Sequence, residues 1–184
     1  MRITSSLLLF SGTAIALACC ANAAHAATQG SLGATSTGTV TITATVPNRA
    51  QITGLSDISF TNADPTTAAS SAQNSCVWSN TATRGYSITA SGSGTAGAFT
   101  LTSGALAPVP YSVQWAATSG QTSGTALATG TALTGLTSTA TRPTCSSGPA
   151  TSSSLVVSIA ASDLQDMVAS ASYTGTLTLL VTPQ

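Results

Sequence analysis

From Gly38 to Pro47 the chain reads GTVTITATVP. Val40, Ile42, Ala44 and Val46 fall on one side of an extended backbone, and Thr39, Thr41, Thr43 and Thr45 fall on the other. This is the period of two that belongs to a strand with one apolar face. Its β-branched residues are stiff at χ1 and disfavour a helix. The same alternation returns along the chain in Ile58 and Phe60, Cys76 and Trp78, Tyr86-Ile88-Ala90, and Phe99 with Leu101. It continues in Tyr111-Val113-Trp115, Leu155-Val157-Ile159 and Leu177-Leu179-Val181, the last being the best strand signal of the chain.

The intervals carry turn chemistry. Gly54 marks a bend or bulge, Arg84-Gly85 a turn and SGSGTAG (91–97) a flexible connection. TNADPTTAASSAQN (61–74) reads as a long polar loop. Pro108 and Pro110 cannot donate ladder bonds and suit a strand start or an edge. Residues 116–144 predict one or two short strands around Leu127, Leu133 and Leu136, and SDLQDMVAS (162–170) a single helical turn capped by Ser162. Seven or eight short strands joined by Gly/Ser-rich turns predict an all-β sandwich, with a jelly roll or small barrel as the alternative. No internal repeat and no second domain are evident.

The start of the chain has the form of an export signal. Arg2 supplies a positive charge, Leu7–Ala18 an apolar run, and Ala24-His25-Ala26 a small-x-small cleavage site. Cleavage is expected after Ala26, with Ala21-Asn22-Ala23 as a second site, and no later stretch predicts a membrane span. LACC at 17–20 offers the competing reading of a lipidated Cys19 or Cys20.

Beyond Ala26 there is no Lys, Glu or His, and Arg49, Arg84 and Arg142 face Asp57, Asp64, Asp163 and Asp166. One net negative charge without a basic cluster argues against nucleic-acid or anionic-membrane partners. It also gives little self-repulsion, which suits a protein that associates. Without His or Lys there is no base for a Ser or Cys nucleophile, and the many serines read as a wetted strand surface. Two Cys and no His are too few for zinc, and NADP (62–65) reads as a turn because no Asp-x-Asp-x-Asp spacing accompanies it. The expectation is a non-enzyme with no catalytic residues, no metal and no cofactor. Cys76 and Cys145 are expected to form a structural disulfide in an exported chain; a redox pair would need a CxxC arrangement and a nearby base.

TVTITATVPNRAQITGLSDISF (39–60), CVW (76–78) with YSITASG (86–92), and the closing SYTGTLTLLVTPQ (172–184) resemble, in that order, spore coat protein U-type domains. These are the subunits of archaic (Csu-type) chaperone–usher pili. The likeness covers most of residues 36–184, loosely in the centre and better at both ends. The sequence departs from the family at NRAQI (48–52), where a Cys usually follows the arm; Cys145 stands elsewhere instead.

The resemblance implies an incomplete immunoglobulin-like β-sandwich whose missing strand leaves an apolar groove. With residues 1–26 read as signal peptide, it implies 27–47 as a flexible tether and N-terminal donor-strand arm, and 48–184 as the sandwich. Val40, Ile42, Ala44 and Val46 would enter the groove of a neighbouring identical or related subunit. A periplasmic chaperone and an outer-membrane usher would be the transient partners, and the product a surface fibre for adhesion or biofilm formation, in which a one-domain chain suits a shaft position. The rival reading is a monomeric secreted or lipid-anchored binding module, with Trp78, Tyr111 and Trp115 as contact residues. On the other hand, Gly38–Val46 could simply be the first strand of its own closed sandwich.

Overall fold

The computed structural model describes residues 26–184, so the expected export signal, with Cys19, Cys20 and His25, lies outside the described residues. The chain divides after Thr45. In the first unit, Thr28 and Thr39 exchange two main-chain hydrogen bonds of 3.0 and 2.9 Å, closing residues 28–39 into a loop.

The second unit is built from strands. They are β1 (Ala50–Thr53), β2 (Ala69–Ser79), β3 (Gly85–Gly92), β4 (Thr100–Leu101) and β5 (Val109–Pro110). The remainder are β6 (Ser112–Ala116), β7 (Thr125–Ala126), β8 (Ala132–Thr137), β9 (Ser153–Ile159) and β10 (Leu177–Pro183), with one short helix, α1 (Ala161–Gln165). The larger sheet has the order β1-β2-β9-β6-β7, the smaller one β10-β3-β8, and β4 with β5 forms a separate ribbon. Every ladder is antiparallel, which makes the chain the all-β sandwich that its alternation predicts.

The core follows that alternation. Val77, Val113, Trp115, Leu155, Val157 and Ile159 of the larger sheet pack with Tyr86, Ile88 and Ala90 of β3. Trp115 is 1 % exposed, and its indole Nε1–H donates to the Tyr86 hydroxyl oxygen at 3.1 Å. Burial pushes the Tyr86 phenol up, partly offset by this bond, so the hydroxyl stays protonated. Tyr86→Phe leaves the Trp115 N–H buried without its acceptor. The expected cost is about 1–3 kcal/mol, read as a lower denaturant midpoint at unchanged m-value.

Trp115 and Tyr111 are therefore core residues rather than surface contacts, and Trp78 is half-buried. Cys76 and Cys145 are joined by a disulfide with Cα atoms 5.9 Å apart, packed with Ala140 and Trp78 in a second small cluster.

Four expectations are corrected. The polar loop of 61–74 ends early, because β2 begins at Ala69 and pairs with β9 from Ala69↔Ile159 to Ser75↔Ser153. Its small polar residues fit a strand since they lie against the apolar Leu155, Val156, Val157 and Ile159 of β9 along most of its length and meet serines at Ser153, Ser154 and Ser158. Serines are not all surface: Ser75, Ser79, Ser138, Ser152, Ser153 and Ser154 are buried. They persist there because each hydroxyl is bonded. Ser75 and Ser153 share a bond of 2.9 Å, and Ser152 Oγ accepts from Val77 N–H while donating to Val77 C=O. The α1 turn starts at Ala161 with Ala160 at its N-cap, so Ser162 lies inside the helix and does not cap it. Finally, Ile58 and Phe60 belong to no ladder, and Gly38–Val46 enters none beyond the Thr39 bridge.

Candidate functional site

β10 has the strongest alternation in the chain, yet Leu177, Leu179 and Val181 are only half-buried. The reason is positional. β10 is the edge of the smaller sheet and pairs only with β3, from Leu177↔Gly92 to Pro183↔Tyr86. Among the described residues no further strand is hydrogen-bonded along its outer side. Over its seven residues, alternate main-chain groups thus face outward on an edge strand, the feature that proteins ordinarily cover or blunt.

Beside this edge a cleft of about 1260 Å³ opens between the sheets. Its floor is Leu155, Val157 and Ile159 of β9, one flank is Leu177 and Leu179 of β10, and the other is the non-ladder segment 55–63. Leu164, Met167 and Tyr173, from α1 and the segment after it, line one end. Gln165 Nε2–H donates to Pro65 C=O there, and the Tyr173 hydroxyl oxygen accepts from Val168 N–H. Around Val77, Ile88 and Trp115, by contrast, the sandwich is fully closed.

The 55–63 flank is shaped by two residues. Gly54 has φ +79°, in the left-handed region that glycine adopts without strain, and there the chain leaves β2. Two residues on, Ser56 is held by the side chain of Gln73: Ser56 N–H donates to Gln73 Oε1 at 2.8 Å, and Gln73 Nε2–H donates to Ser56 C=O at 3.0 Å. Gln73 was hidden from sequence reading inside a stretch taken for a loop. Its signal was the parity it shares with Ser75 and Val77, which makes it a polar residue on an inward face.

In the first unit Val40 and Ile42 are 75 % and 89 % exposed, Ala44 is exposed, and Val46, which opens the second unit, is 75 % exposed. The alternating apolar face predicted for this segment is therefore present and uncovered. Its root is fixed by Asn80, whose Oδ1 accepts from Arg49 N–H at 2.6 Å and whose Nδ2–H donates to Pro47 C=O at 2.9 Å. Asn80 N–H also donates to Arg49 C=O at 3.1 Å. No sequence signal pointed to Asn80.

No cluster of three His, Cys, Asp or Glu occurs among the described residues. Asp64 accepts from the N–H and hydroxyl of Thr66, which lowers its pKa, and Thr67 N–H donates to Asp64 C=O, so the turn runs over 64–67, two residues beyond the start of the predicted 62–65. No helix of the described residues is long and apolar enough to cross a membrane. No protein-family model matches the chain, and no curated protein matches it either.

Proposed function

We propose that this chain is the structural subunit of a surface fibre, polymerised by insertion of the arm of one copy into the cleft of the next. The observation that carries this reading is the complementarity of two features of one sequence. The cleft lacks a cover along an edge strand of seven residues, and Val40–Val46 is an uncovered segment of equal length with the alternation of a strand. Strand addition satisfies both: main-chain bonds along β10 supply affinity, and alternate side chains entering the cleft supply register. Burying Val40, Ile42 and Val46 gains ~1.5–3 kcal/mol each before the cost of ordering the arm.

On this reading the exposed cleft needs a temporary occupant during export, which is the role of a periplasmic chaperone, with an outer-membrane usher exchanging it for the next arm. The site carries no reaction, and the chain is not an enzyme. The test is gel electrophoresis of the sheared surface fraction, loaded unboiled and boiled. A ladder of multimers that collapses to one band on boiling is expected. A single monomer band in both lanes would assign the chain to the rival class, a monomeric binding module.

A further inference from the structure

The pairing of β1 with β2 follows a fixed register, from Ala50↔Ser79 to Thr53↔Cys76. Continued by the same count, it would set Leu55 opposite Asn74, Asp57 opposite Ala72, Ile58 opposite Ser71 and Phe60 opposite Ala69. Antiparallel partners share a face, and Ile52 opposite Val77 points into the core. Ile58 and Phe60, which already pack half-buried against the core from outside the ladder, would keep that inward parity in it and be fixed over the cleft by a strand of the chain itself. Their spacing is right for it, and the outer edge of β2 from Ala69 to Ser75 carries no ladder that would stand in the way.

The chain does not take this course. In an antiparallel ladder main-chain bonds recur at every second residue, and Asn80 N–H already bonds Arg49 C=O. The bonding positions would then be Leu55 and Asp57, with the groups of Ser56 facing away from β2. The structure has the reverse: Ser56 turns both its N–H and its C=O onto the amide of Gln73. The chain has rolled at Gly54, and the Gln73 side chain takes up both main-chain groups of the rolled residue.

We propose that Gln73 is a positioning residue that keeps the cleft open, by holding the 55–60 segment out of the ladder that would close it. This inference rests on the docking reading above. It assigns Gln73 a role that opposes stability and serves binding, since an amide that merely tied down a loop would contribute to both. The expected signature is an opposite sign for the two quantities.

The experiment compares the exported wild-type chain with Gln73→Val, a β-former that offers Ser56 no hydrogen bond. A fluorescently labelled peptide of residues 38–47 is titrated by anisotropy, thermal unfolding is followed without peptide, and amide exchange is read at Leu55 and Asp57. Gln73→Val is expected to bind the peptide at least tenfold more weakly, to gain roughly 3 °C in Tm, and to protect the two amides. Unchanged affinity, or a lower Tm with the amides still exchanging freely, overturns the proposal. If Gln73→Val does not fold, that too counts against it, and Gly54→Val, which removes the left-handed bend, must then give the same three signs or the idea is abandoned. A wild-type chain that ignores the peptide would refute the docking reading alone, because amide protection still judges Gln73.

Discussion

Ile42→Asp is expected to abolish the boil-sensitive ladder while leaving export and the disulfide intact. Ile42 is 89 % exposed, so a carboxylate there costs the free subunit almost nothing. Once docked, the same position lies among the apolar side chains that line the cleft, with no cation near it. Losing the isoleucine forfeits about 2–3 kcal/mol of burial, and placing an unpaired charge in an apolar site costs several kcal/mol more. A total of about 5 kcal/mol weakens each junction by more than a thousandfold. Thr41→Asp, on the opposite face of the same strand, is the control and should retain the ladder. Normal multimers from Ile42→Asp would remove the arm from the mechanism.

Replacing both Cys76 and Cys145 by Ser is expected to lower the unfolding free energy by about 4 kcal/mol. The bond closes a loop of 69 residues in sequence separation, and the chain-entropy model gives that magnitude for the unfolded state. Few other covalent or ionic reserves exist in a chain with so few charges. The measurement is a urea titration of oxidised wild type against the double variant. Equal midpoints would show that the bond constrains nothing that folding does not already fix. Free thiols at both positions in material taken from the periplasm would remove the bond from the exported chain altogether.

The sandwich was legible because its core strands obey the period of two with large side chains. Tyr86-Ile88-Ala90, Tyr111-Val113-Trp115 and Leu155-Val157-Ile159 all proved buried on the expected parity. β2 was not legible. From Ala69 to Ser75 it buries only small or polar groups, and its place in the sheet depends on the equally hydroxylated start of β9, seventy-eight residues away for Ser75 and Ser153. Such pairing is a tertiary fact that local propensity does not contain. Ile58 and Phe60 misled in the opposite direction: their alternation is that of a strand, but the Gly54 bend and the Gln73 amide keep them off the ladder. Of the candidate site, Val40, Ile42, Ala44 and Val46 could be read directly from the sequence, whereas the cleft could be placed only by the resemblance.

The Asn80 contacts at the root of the arm have a mechanical consequence. Pro47 has a fixed φ, and Asn80 holds the carbonyl on its own residue and the amide two residues on. Only Asn48 lies between these anchors. A pull on the arm therefore loads β1 and β2 directly instead of being absorbed by a slack linker, and in the fibre proposed above bending at each joint would work against Asn80. Stiffness would then be set by one amide side chain per subunit, and Asn80→Ala filaments should coil more tightly in electron micrographs at unchanged subunit affinity.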